Sequence, residues 1–197
     1  MNTQSVTSSA IIRLITFVLL TLLALSGCAT MNEQECLEGD WHSSGFKDAS
    51  KGRTDSRLIS HTKACAKHGV AANKSLYIAG YQSGLEQYCT AENGTVQGNR
   101  NKDYRGICPA DKEPEFLTQY IRGLLLAQQR LNRNFREVDN ALRNARRNPR
   151  TTDEQSIRLV DRRIKNLSNK RDDLRIKRLD VNRKIRQWSS RLGTTNT

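Results

Sequence analysis

A mainly α fold is predicted for this chain: a small disulfide-bonded α-rich head with a short β-ribbon, followed by a long antiparallel helical hairpin of coiled-coil type. Three observations predict it. Four of the five cysteines lie between Cys36 and Cys108, apolar residues recur at helical spacing through most of the rest, and from Glu115 onward the only breakers are Gly123, Pro149 and Gly193. The expected division is a leader over residues 1–27, a head over 28–114, the hairpin over 115–192 and a disordered tail over 193–197.

The apolar run from Leu14 to Leu25 is interrupted only by Thr16 and Thr21. At about 1.5 Å per residue it is too short to cross a hydrocarbon core of roughly 30 Å, so it reads as the core of a signal peptide. It closes on Leu25-Ser26-Gly27-Cys28, which resembles the lipobox of a bacterial lipoprotein. The resemblance implies cleavage before Cys28, lipidation of Cys28 as the first mature residue, and membrane attachment through it, since two or more acyl chains anchor stably. Ala29 rather than Asp follows, which by the same resemblance implies the outer membrane with the protein facing the periplasm.

With Cys28 assigned to lipid, Cys36, Cys65, Cys89 and Cys108 remain, an even number suited to an oxidising compartment. Three connectivities are open. We expect Cys36 with Cys65 and Cys89 with Cys108, because each then closes a loop of moderate length. Metal binding is the rival reading, since His61, Cys65 and His68 follow at steps of four and three, on one side of a helix. A structural zinc site needs four ligands and a reduced Cys65, so no metal is expected. The absence of Cys-x-x-Cys removes support for a thioredoxin-like role.

From Ser50 to His68 the spacing is helical, with Leu58, Thr62 and Cys65 on one face and Gly69 placed to end the helix. Asn73 predicts the cap of a second helix running to about Tyr88. Tyr77, Tyr81, Gly84, Leu85 and Tyr88 lie near one stripe of it and read as a core wall, and Gly80 and Gly84 predict the close approach of another backbone. Asn93-Gly94 favours a tight turn, which predicts the β-ribbon, held closed by Cys89 and Cys108.

Cys36, the Trp41 to Gly45 stretch, His61-x3-Cys65, Gly69, Tyr77-x2-Gly80, Tyr81-x2-Gly84, Tyr88-Cys89 and Tyr104-x-Gly106-x-Cys108-Pro109 together resemble a family. It is that of the short proteobacterial envelope lipoproteins classified only as a domain of unknown function. The resemblance covers roughly Ala29 to Gly123 and implies no catalytic residue or cofactor. The extension after Gly123 departs from the compact family pattern.

In that extension Leu117, Ile121, Leu124, Gln128, Leu131, Phe135, Val138, Leu142 and Ala145 recur with steps of four and three. A second series runs Ile157, Val160, Ile164, Leu167, Arg171, Leu174, Arg178, Val181, Ile185, Trp188 and Leu192. Pro149 separates them, and Thr152 with Gln155 predicts a capping box opening the second helix. A homodimeric coil is the alternative to a hairpin. Arg171 and Arg178 within the second seam suggest a coil that is incomplete without a partner.

The segment from Glu115 to Thr197 carries 21 Lys and Arg against 9 Asp and Glu, whereas Ala29 to Pro114 has 11 of each. That asymmetry predicts either a solvated helical exterior or attachment to a polyanion such as lipid headgroups or cell-wall polymer, with Arg162, Arg163, Arg175 and Arg186 as binding residues. Nucleic acid is disfavoured, because no helix-turn-helix or zinc-finger spacing occurs and Trp188 is the only late aromatic. No Gly-x-Ser-x-Gly, His-Glu-x-x-His or phosphate-binding glycine loop is present, His42, His61 and His68 are the only histidines, and His42 beside Trp41 reads as a loop residue, so no enzyme is expected. The expectation is an outer-membrane lipoprotein of structural or interaction type that engages an envelope partner, or itself, through its basic coil. A cell-wall or anionic-lipid binding module is the alternative, and a periplasmic enzyme the less favoured reading.

Overall fold

The computed structural model describes residues 30–147 and 153–194. The leader, Cys28, Pro149 and Thr152 lie outside them. The described residues form helices joined by turns and irregular loops, and no strand occurs among them.

Four of the five short helices begin where a side chain accepts from a first-turn amide, and the helix at Arg57 begins without one. Asn32 caps α1 (Glu33–Glu38) in a capping box with Glu35, and Asp40 caps α2 (Trp41–Ser50) by accepting from Ser43. The third helix, α3 (Arg57–Ala66), is followed by Gly69 at φ 73. Asn73 accepts from Leu76 and opens α4 (Lys74–Tyr88), as the sequence predicted. Thr90 caps α5 (Ala91–Asn99).

The expected β-ribbon is therefore corrected to a helix. Thr90 Oγ1 accepts from Asn93 N, Asn93 Nδ2 donates to Tyr88 O, and Gly94 lies inside α5. Gly94 serves packing rather than turning: a Cβ there would stand 2.6 Å from the Phe116 carbonyl oxygen. Two long helices complete the chain, α6 (Glu113–Arg147) and α7 (Glu154–Thr194).

The head is built from two helix crossings of the same design. In the first, α2 lies against α4, and a Cβ on Gly45 would overlap the Tyr77 carbonyl oxygen while one on Gly80 would overlap that of His42. In the second, α5 lies against α6, with Gly98 over Tyr120 and Gly123 over Thr95. Only glycine permits backbones this close. The spacing matches as well: Cys36 and Gly45 are as far apart as Cys89 and Gly98, and Cys65 and Gly80 as far apart as Cys108 and Gly123. Each half is closed by its own disulfide, Cys36 to Cys65 with Cα atoms 5.3 Å apart and Cys89 to Cys108 at 5.6 Å.

The halves differ in what covers their inner tyrosine. Tyr77 is covered by α3, whose Arg57 lies against Asp48 and whose His61 ring sits 6.0 Å from the Tyr77 ring. Tyr120 is covered instead by the end of α7. There Lys184 donates to Asn101, and the Trp188 ring lies 6.4 Å from Tyr120 and 4.9 Å from Tyr104. In both cases a cation and a ring four residues apart do the covering.

Helices α6 and α7 run antiparallel. Gln128 meets Asn182 at 2.7 Å, Asn132 meets Arg178 at 2.7 Å and Glu113 meets Arg191 at 2.8 Å, so rising numbers on one helix pair with falling numbers on the other. Every residue of the first predicted series, and every residue of the second from Val160 on, is buried or half-buried; Ile157 is exposed. Arg178 does not leave the seam unfilled. Its guanidinium stacks on Phe135 at 4.4 Å and donates to Asn132, which satisfies the charge in place.

Candidate functional site

Two polar features stand out: a buried ionic cluster in the first half of the head and an unpaired basic face on α7. The cluster forms because Asp48 shares the inner stripe of α2 with Trp41, Gly45 and Ala49. A carboxylate there loses water and must be paired. Asp48 is 3 % exposed. Its Oδ2 accepts from His61 Nε2 at 2.7 Å and from Tyr77 Oη at 2.9 Å, while Oδ1 accepts from Arg53 Nη1 at 3.0 Å. Arg57 Nε stands 3.4 Å from the same Oδ1.

Burial pushes the Asp48 carboxyl up, but the hydrogen bonds from His61, Arg53 and Tyr77 together outweigh it and hold it below the ordinary carboxylate range. Tyr77 moves the other way: burial, then the neighbouring Asp48 charge, raises its phenol well above the ordinary value. The cluster is therefore an ionised carboxylate held by donors. Its arrangement fixes α3 against α2 and α4.

The sequence did not single out Asp48, Arg53 or Arg57. The available signal was a charged residue at the i+7 position of a stripe otherwise made of Trp41, Gly45 and Ala49. The metal rival dissolves in this geometry, because Cys65 is bridged to Cys36, His61 is committed to Asp48, and His68 Nδ1 faces Glu33 at 3.8 Å. His42 is exposed and lies on α2 rather than in a loop, and His61 is buried.

On α7 some cations already have acidic partners, among them Arg158 with Glu154, Arg171 with Asp172, Lys177 with Asp173 and Arg183 with Asp180. Arg162, Arg163, Arg175 and Arg186 are exposed and in no ion pair among the described residues. Arg162 Nε reaches only the carbonyl of Arg158, at 3.4 Å. Arg175, Leu179 and Arg186 share one face at steps of four and seven, and Leu179 is 61 % exposed with Ile176 beside it at 68 %.

Residues 40–125 match the family model described as a protein of unknown function (DUF2799). The chain carries a DUF2799 domain. That domain runs from the cap of α2 into α6, so it contains both glycine crossings, the Asp48 cluster and the second disulfide, while α7 and the outer part of α6 lie beyond it. No curated protein and no solved structure matches the chain.

Proposed function

We propose that this protein is an outer-membrane lipoprotein of structural or interaction type, anchored through lipid on Cys28, whose disulfide-bonded DUF2799 head presents a basic helical hairpin to an anionic envelope surface. The observation that carries the reading is the α7 face where Arg175 and Arg186 flank the exposed Leu179 with no acidic partner. Unpaired guanidinium groups are drawn to a negatively charged layer, and a neighbouring aliphatic side chain gains by entering the headgroup boundary. Anionic phospholipid fits that combination better than a wholly polar polymer. No helix among the described residues is long and apolar enough to cross a membrane, so attachment rests on the lipid and on this face.

The test uses the chain from residue 29 onward, which contains every described residue. It should be retained on phosphatidylglycerol vesicles at low salt and released as the screening length falls from about 10 Å at 0.1 M salt to about 3 Å at 1 M. Replacing Arg162, Arg163, Arg175 and Arg186 with Gln should weaken retention, and Leu179→Gln should weaken it further. Equal retention of wild type and the quadruple variant, or binding to cell-wall sacculi in place of vesicles, would reject the lipid reading.

A further inference from the structure

A cavity of about 230 Å³ opens where the two halves of the head meet, lined by Arg53, Thr54, Ser56, Arg57, Ser60 and Arg105. Every lining residue is a guanidinium or hydroxyl bearer. Five come from the turn before α3 and its first residues; Arg105 comes from the loop after α5. Arg53 and Arg57 are held in place from behind by Asp48, so their positions are set before any ligand arrives. Arg57 Nε is a buried atom that makes no hydrogen bond, and Arg105 makes neither a hydrogen bond nor an ion pair among the described residues.

Three guanidinium charges against the one charge of Asp48 leave an excess of two facing the cavity. Asp55 belongs to the same turn but is exposed and does not line the cavity. The amides of Arg57, Leu58 and Ile59 already donate to Thr54, Asp55 and Ser56 carbonyls. Recognition therefore falls to side chains, with the α3 dipole adding favourable sign.

We propose that this cavity binds a phosphate group. Planar guanidinium forks match the oxygens of a tetrahedral oxyanion, and a dianion matches the excess of two charges. The hydroxyls of Ser56, Ser60 and Thr54 supply donors to the oxygens that the arginines leave over. A carboxylate has only two oxygens and one charge, so it would leave a guanidinium unengaged. The site uses none of Arg162, Arg163, Arg175 and Arg186 and stands whether or not the hairpin meets lipid.

The experiment titrates the chain from residue 29 onward, disulfides intact, with inorganic phosphate at low ionic strength under calorimetry. Saturable binding at a single site is expected, with acetate failing to compete. Arg105→Gln should weaken it about tenfold, the worth of one charge-assisted contact, with the melting temperature little changed because Arg105 is exposed and makes no hydrogen bond or ion pair among the described residues. Ser60→Ala should weaken it less. A second arm uses phosphatidylglycerol vesicles with Arg162, Arg163, Arg175 and Arg186 already changed to Gln. Arg105-dependent retention there assigns the phosphate to a lipid headgroup, whereas binding of inorganic phosphate alone assigns it to a soluble compound. Either supports the site. The proposal is overturned if neither probe binds, if acetate competes equally, or if Arg105→Gln and Ser60→Ala bind as tightly as wild type.

Discussion

Gly45 and Gly98 occupy the same place in two different helix crossings, each with its missing side chain filled by a tyrosine carbonyl, that of Tyr77 for the first and Tyr120 for the second. Because the obstructing atoms are backbone, neither site can yield by a rotamer change. Gly45→Ala and Gly98→Ala are each expected to destabilise the head by about 3 kcal/mol, the upper end of overpacking costs, measured by denaturant unfolding. Gly39→Ala is the contrast. Gly39 has φ 64 but open space around it, so only the conformational strain of about 1 kcal/mol is expected. Equal costs at the three positions would contradict the close crossings.

The Asp48 cluster predicts an acid-sensitive head. Its carboxyl is held below the ordinary range in the folded state, so as pH falls the unfolded chain takes up that proton first. The stability it contributes is present above the ordinary Asp value of about 3.9 and is lost as pH falls through the lowered folded value. Asp180 is shifted the same way: burial opposes, and hydrogen bonds from Lys184, Arg183 and Asn101 prevail. Melting temperature should therefore drop below about pH 4, and Asp48→Asn should flatten that drop. An Asp48→Asn profile parallel to wild type would sink this account.

Asp48→Ala is expected to cost more than the loss of one contact. It strands His61, Tyr77 and Arg53 without their acceptor, and breaking a buried pair on one side typically costs about 3 to 5 kcal/mol. The check is equilibrium unfolding of the variant beside Tyr77→Phe, which removes a single donor and should cost about 1 kcal/mol.

Trp188→Ala tests whether the end of α7 belongs to the head. Trp188 is 6 % exposed and packs on Tyr104 and Tyr120, so truncation should cost about 3 to 5 kcal/mol and raise amide exchange in both the 100–112 loop and the last turns of α7. Raised exchange in α7 alone would mean that the loop holds without it.

Much of this fold could be read from the chain because the information was local. The Asn73 cap and the end near Tyr88 follow from side-chain chemistry within a few residues, and the two heptad series reappear as the buried seam from Leu117 to Ala145 and from Val160 to Leu192. Asn93-Gly94 misled for the opposite reason. The dipeptide has a strong intrinsic turn preference, but Thr90 caps a helix over it and Phe116, far along the chain, needs the glycine's empty side. The matched halves stayed hidden because ten additional residues separate Gly45 from Cys65 relative to Gly98 and Cys108, which breaks any fixed period. Asp48 was passed over since its meaning depends on His61 and Tyr77, which only the packed helices bring to it. Arg162, Arg163, Arg175 and Arg186 were singled out in the sequence, whereas the exposed Leu179 between two of them needed the structure.

The pairing of the cysteines has a consequence for how the chain is made. Cys36 joins the next head cysteine, Cys65, and Cys89 joins the one after it, Cys108, so neither bridge spans or interleaves with the other. Among these four cysteines, a polypeptide emerging amino end first presents each thiol with its native mate as the next to arrive. Oxidation in order of appearance then yields the correct pairs, and the first half is closed before the second has been delivered. Such a chain has little need of an isomerase to undo mistaken bridges.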